Sequence, residues 1–396
     1  MKRFFSSLKK FSSTPIMAAA FLMATSAIGP GFLTQTAVFT NNLLASFGFV
    51  ILISIILDIG AQLNIWKILS ISGMRAQELA NTMYSGAGYV LTILIVMGGL
   101  AFNTGNLAGS GLGLNALTGI STEAGAMMSA AIAIIIFVNK KSLRLMDVFT
   151  KVLGMIMIFL TLYVVIVSKP PMGDAIKKTF LPDKFDFYAI ITLVGGTVGG
   201  YISFAGAHRL LDAGMIGPKY TKTVTQSATS GILIAAVMRV LLFLAALGVI
   251  SQGFVIDMNN PSASVFQLAA GNMGYKLFGV VMWSAAITSI VGAAYTSISF
   301  FKSFHRFFEQ YERRFLVLFV LIPLSIFLLV GKPVSTLLFV GALNGFILPV
   351  ALAIILLASY NEKIVGDYKH PVWLKLFGLA VVLATLFLSV VTLVKM

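Results

Sequence analysis

The sequence predicts an all-α integral membrane protein of eleven transmembrane helices, built as a five-plus-five inverted repeat with one helix added. Three observations carry this. The chain has 396 residues, 58% hydrophobic and only 10% charged, with a mean hydropathy of +0.97, whereas soluble domains carry about 25% charged residues. Its apolar residues gather in runs near the ~20 residues needed to cross hydrocarbon. The first and sixth runs are each interrupted midway by a glycine cluster, five runs apart. An odd offset sets corresponding helices in opposite directions, and paired interruptions of this kind point to a binding site at the membrane midplane.

In chain order, segment 1–13 is basic (MKRFFSSLKK) and is read as cytoplasmic. It leads into a long apolar run, 14–42, so a cleavable signal is not expected. Within that run TSAIGPGFLTQTA sets Gly29, Pro30 and Gly31 together. Proline lacks an amide hydrogen and clashes with the preceding turn. Hydrocarbon offers the freed carbonyl no replacement, so such a break must face protein or a wet cavity. Run 46–67 is apolar with one acid, Asp58. Run 86–118 holds NTGNLAGSGLGLNALTG, and runs 124–139 and 145–168 complete a first repeat at 14–168. Segment 169–187 mixes lysines with Asp174, Asp183 and Asp186 and is read as an external loop. The sixth run, 188–211, carries LVGGTVGGYISFAGAHR. Runs 226–251, 270–301, 315–331 and 334–359 complete a second repeat at 188–359, and 372–394 is the eleventh helix.

The charges set the orientation. The chain carries +15 net, yet its basic residues sit in short connections between apolar runs, which argues against nucleic acid and for membrane topology. Of the 28 Lys and Arg, 20 fall on the side of the N-terminus and seven on the other. The N-terminus is therefore expected in the cytoplasm and the C-terminus outside, in a bacterial-type inner membrane. With no cysteine, disulfides, thiolate metal ligands and iron–sulfur clusters are excluded. No GxxxxGK[ST] motif marks an ATP-driven pump. No hydrolytic constellation is visible, so an enzyme is not expected and no cofactor is implied.

The motifs FLMATSAIGPGF, NTGNLAGSGLGLNALTG, VGGTVGGY, SAAITSIVGAAYTS and FILPVALAI, in that order, resemble the NRAMP family of proton-coupled divalent-metal transporters, within the LeuT-like fold. The resemblance runs along nearly the whole chain and implies alternating access around the two breaks. The departures are as informative. Where the family has the aspartate and asparagine of its first break, this chain has Gly29 and Phe32. The acids of the third run stand as Asn106 and Gly109, and the methionine and histidine of the sixth as Gly199 and Tyr201. Runs one, three and six hold no carboxylate except Asp212 at the end of the sixth. Dications such as Mn and Mg favour carboxylates, so a metal site of the family's kind is not expected.

The groups that remain suit another cargo. Free amides at a broken helix carry a positive dipole end that attracts carboxylates, and glycine lets a ligand approach the backbone. The expected substrate-binding residues are Ser26, Gly29, Pro30, Gly31, Thr34, Gln35, Asn103, Asn106, Gly199, Gly200, Tyr201 and Ser203. The expected function is a secondary transporter importing a small polar organic solute or carboxylate, 5-oxoproline being one example. The alternative is a Mn, Fe or Mg transporter with a non-standard site, and a channel or sensor is a third reading. The expected partners are the solute, a coupling proton or sodium ion, and the lipid bilayer.

Ion coupling has five candidates: Asp58, His208, Arg239, Thr288 and Ser289. Asp58 at mid-span reads either as a proton site or as a structural pair. Arg239 pairs with Asp58, balances an anionic substrate, or snorkels to the cytoplasmic face. His208 reads as a relay, or as a gate or topology residue at that face. Thr288 and Ser289 stand where LeuT-like proteins can place sodium, though hydroxyls there also bond helix carbonyls. His305 and His370 lie in basic loops and are expected in solvent.

Overall fold

The computed structural model describes residues 15–138, 140–302 and 304–395; the expected cytoplasmic segment 1–13 lies outside the described residues. Among the described residues all regular structure is helical. The first run is two helices, α1 (Pro15–Ala27) and α2 (Pro30–Leu43). Helices α3 (Phe47–Ser72), α4 (Ala76–Met83), α5 (Ala87–Thr118), α6 (Thr122–Val138) and α7 (Lys140–Ser168) follow, then α8 (Met172–Phe180). The sixth run is again two helices, α9 (Phe187–Val198) and α10 (Ile202–Asp212). The rest are α11 (Thr221–Ser251), α12 (Pro261–Lys302), α13 (Arg306–Gln310), α14 (Glu312–Val330), α15 (Pro333–Ala358), α16 (Glu362–Val365) and α17 (Val372–Lys395). Helix thus occupies each of the eleven predicted runs. By length and composition alone, eight helical stretches among the described residues can cross a membrane, or nine if a bent pair counts as one.

Two elements depart from the sequence reading. Segment 169–187 is not a bare loop: it contains α8, bent 107° from α7, with Asp174 in its first turn and Lys177 and Lys178 in its last. Those charges complement the helix dipole, and buried Ala175 seats α8 on α3. Helix α12 begins before the predicted run, but Ala270 (φ −129°, ψ 15°) and Gly271 (φ 63°, ψ −163°) interrupt it. The predicted run, 270–301, begins at this interruption.

Both breaks have a backbone cause. Pro30 cannot donate to Ser26, so α1 closes with Ile28 N–H on Ala24 O (2.8 Å) and Gly29 N–H on Ala27 O (2.9 Å). Gly29 is extended, and α2 restarts with Leu33 N–H on Gly29 O (3.2 Å). At the second break Gly199 N–H reaches back to Val194 O (3.2 Å), Gly200 takes φ +53°, and Ile202 N–H bonds Gly199 O (3.2 Å). The broken helices lie side by side, α1 against α10 and α2 against α9. Helices α3, α11, α12 and α15 pack around them and α5 runs alongside. The broken sixth run is the most enclosed of the apolar spans.

Candidate functional site

The first elbow is lined from four helices. Pro30 seats against Gly109 of α5, in the space a side chain at 109 would fill. The amides of Gly31 and Phe32 open α2, so they have no intrahelical acceptor, and no side chain caps that end. A Cβ on Gly29 would lie 2.9 Å from Ser289 Oγ and 3.5 Å from Asn106 Oδ1. The Ser289 hydroxyl is buried without a partner. Asn106 Nδ2 donates to Asn103 Oδ1 (3.4 Å), and Asn103 Nδ2 spans Ile290 O (3.3 Å) and Phe319 O (3.0 Å).

Gln35 joins the two elbows. Its Nε2 donates to Leu337 O of α15 (3.1 Å). Its Oε1 is buried without a partner and lies 2.8 Å from where Gly196 would carry a Cβ. At the second elbow Asn344 of α15 donates through Nδ2 to Gly98 O (3.2 Å) and Val340 O (2.9 Å). Its Oδ1 is unpartnered and fills the Cβ space of Gly200.

Other expected binding residues stand in packing positions. Tyr201 is fully buried edge-on to Phe102, its ring 5.3 Å away and its hydroxyl unpartnered. Ser203 Oγ donates to Val198 O (2.8 Å), and Trp66 Nε1 donates to Ser203 O (2.8 Å). Ser26 Oγ lies 3.6 Å from the Cβ position of Gly292. Thr34 Oγ1 accepts from Ser262 Oγ at 3.5 Å. Thr288 bonds carbonyls of its own helix, at Ser284 (3.2 Å) and Ala285 (2.9 Å).

The charged residues require corrections. Arg239 does not snorkel: it is 2% exposed, with Nη1 donating to Thr197 Oγ1 (2.9 Å) and Cζ 4.0 Å above the Phe32 ring. Asp58 is equally buried, lies beside Thr197 and feels the charge of Arg239. His208 is buried against Phe300 (5.0 Å between rings), with Nδ1 3.3 Å from Ser299 Oγ. Asp212 is paired with Arg75 (2.8 Å). His370 is buried, not in solvent, its Nε2 2.9 Å from Asn64 Oδ1.

Sequence reasoning missed Thr197 and Asn344. Both had a signal. Thr197 is the one hydroxyl between two glycine pairs, and Asn344 is a lone amide in an apolar run, which the rule that flagged Asp58 also covers. Among the described residues no group of three or more His, Cys, Asp or Glu could hold a metal.

With this geometry in hand, known proteins place the chain. It is 58% identical over 378 residues to the membrane protein YcsG of Bacillus subtilis, covering 96% of this chain and 94% of that one. It is 23% identical to the divalent metal cation transporter MntH of Vibrio campbellii, over 73% of this chain and 70% of that one. Among solved structures it resembles the Eremococcus coleocola manganese transporter mutant H236A (TM-score 0.72, 16% identity, 94% of this chain and 85% of that one). It also resembles Mhp1 in its inward-facing conformation (TM-score 0.61, 15% identity, 95% and 89%). The Nramp profile, natural resistance-associated macrophage protein-like, matches residues 20–395. The chain is thus a membrane transporter of the Nramp family with a LeuT-like fold.

Proposed function

We propose that this protein is a secondary active transporter that imports a small polar organic solute by alternating access around the two elbows. One observation carries the choice of cargo. The cradle offers amides, hydroxyls and unpaired carboxamide oxygens, and the charged group beside Phe32 is the guanidinium of Arg239. A dehydrated dication in low dielectric needs anionic ligands, and a fixed cation beside its site repels it. The neutral donors and acceptors of Gln35, Asn106, Ser289 and Asn344 instead match the mixed polarity of an organic solute.

The proposed contact set is Gly29–Gly31, Gln35, Asn106, Ser289, Gly199, Gly200 and Asn344. Ser26, Thr34, Asn103, Tyr201 and Ser203 support it from behind. We place the protein in a bacterial-type inner membrane with a cytoplasmic N-terminus, following the lysine and arginine asymmetry. The two repeats are assigned to 14–168 and 188–359.

A second reading, divalent-metal transport, is favoured by the names of the Vibrio campbellii and Eremococcus coleocola proteins. In that case hydrated metal meets carbonyls and carboxamides. A thermal-shift screen on the purified protein separates the two, because a ligand that binds the folded state raises the melting temperature. Organic solutes are expected to shift it, and MnCl2 and MgCl2 are not. Saturable Mn uptake into proteoliposomes, with no response to any organic solute, would overturn the proposal.

A further inference from the structure

Arg239 and Asp58 sit at mid-helix in α11 and α3, 2% and 1% exposed. They are not an ion pair within 4 Å; Thr197 stands between them. The guanidinium is held on one side only: Nη1 donates to Thr197 Oγ1, while Nε and Nη2 are buried without a partner. Asp58 Oδ1 is likewise unpartnered. Leaving charged groups buried with unmade hydrogen bonds is costly, and intramembrane charges mark functional paths. The location sharpens this. Thr197 lies two residues before Gly199, and Phe32, beneath the guanidinium, lies two residues after Pro30. Arg239 therefore joins the two broken helices next to the uncapped first turn of α2.

A planar guanidinium with free donors matches a planar carboxylate better than any neutral group. Resting on the organic-solute reading, we propose that Arg239 anchors the carboxylate of the transported solute and that Asp58 takes up one proton as it binds, so acid and proton move together. The charge balance requires it. The empty site holds one positive and one negative side chain. An incoming carboxylate would leave a net negative charge in low dielectric. Asp58–COO⁻ plus H⁺ gives Asp58–COOH and restores neutrality, with no covalent bond to the solute. Release on the far side reverses both steps.

Thr197 accommodates the exchange. Its hydroxyl accepts from Arg239 and donates to Leu193 O (2.8 Å), so its single proton is already used. A neutral Asp58 can donate to Thr197 and leave both bonds intact, whereas an ionised Asp58 must compete with Leu193 for that proton. Of the helices packed against α3, α2 and α15 have no ionisable residue. Those of α8 (Asp174, Lys177, Lys178), α10 (Arg209, Asp212), α16 (Glu362, Lys363) and α17 (Lys375, Lys395), with Glu78 on α4 and Lys222 on α11, are end-of-helix groups, and His208 of α10 is buried against Phe300. Tyr188 of α9, Tyr201 at the break and Lys67 of α3 itself complete the neighbours. Arg239 is the charge that acts on Asp58.

The test uses the full chain, purified and in proteoliposomes, with L-lactate and 5-oxoproline as probes against lactamide and 5-oxoprolinamide. The acids are expected to raise the melting temperature more at pH 5.5 than at pH 7.5, and the amides to leave it unmoved. In weakly buffered solution each bound acid should bring one proton into the wild type and none into Asp58→Asn. That variant should bind acid independently of pH and lose accumulation driven by a pH gradient. Arg239→Gln should lose acid binding; Arg239→Lys, which keeps the charge if the first fails to fold, should weaken it tenfold or more. Amides that stabilise as well as the acids would overturn the anchor while leaving the organic-solute reading standing. Unchanged pH dependence in Asp58→Asn would overturn the coupling. Stabilisation by MnCl2 and by neither acid would remove both readings.

Discussion

Gly200 and Asn344 form the tightest side-chain-to-backbone fit of the site. Gly200 takes φ +53°, and the carboxamide of Asn344 occupies the space a Cβ would need. A left-handed conformation costs an ordinary residue about 1–2 kcal/mol, and overpacking adds about 1–3 kcal/mol. Gly200→Ala should therefore lower the melting temperature in detergent by several degrees. Adding Asn344→Ala relieves the packing part but gives up its bonds to Gly98 O and Val340 O, so the double variant should lose less than the sum of the two single changes. Strict additivity of the two losses would show that they do not share this contact. The glycine cluster was visible in the chain; the amide that needs it, 144 positions later, was not.

At the scale of elements, the breaks are the working parts, and Pro30 is the residue that keeps one open. Two effects of Pro30→Ala oppose each other. The new amide can bond Ser26 O for about 1 kcal/mol, while the lost ring opens a void opposite Gly109 that costs about as much. Stability should change little. Uptake should fall sharply, because a continuous helix consumes the α2 amides of Gly31 and Phe32 that the elbow presents. Thermal melts paired with proteoliposome uptake check both halves, and normal uptake by Pro30→Ala would mean the interruption is dispensable. The contrast with α8 is instructive. Its charges and short length read as a loop, and only packing against α3 makes nine residues a stable helix.

For the whole molecule, the eleventh run is tied to the bundle by a buried polar clasp. His370 Nε2 meets Asn64 Oδ1 at 2.9 Å, and Asn64 Nδ2 donates to Gly60 O (2.8 Å) and Leu374 O (3.1 Å). Burial, then the nearby Lys67 and Lys375, push the His370 imidazole down to about 4 from its usual 6.5. The unfolded chain thus binds a proton at a higher pH than the folded one. Stability should be full above pH 6.5, decline as pH falls through about 4, and level off below. Melting temperatures across that range check it; His370→Asn should flatten the His370 contribution, and an equally steep decline in that variant would assign it elsewhere. Sequence placed this histidine in solvent because its neighbours are polar, and local polarity says nothing about what folds over a loop.

The order of apolar runs, the two backbone interruptions and the absence of acids in runs one, three and six were legible in the chain itself, because hydrocarbon thickness, proline chemistry and side-chain charge act locally along it. The three-dimensional fold alone decided that Arg239 is buried, that Thr197 separates it from Asp58, and that Gln35 and Asn344 close the elbows. Those contacts join residues up to 302 positions apart. They depend on how helices rotate and approach one another, which no single run encodes.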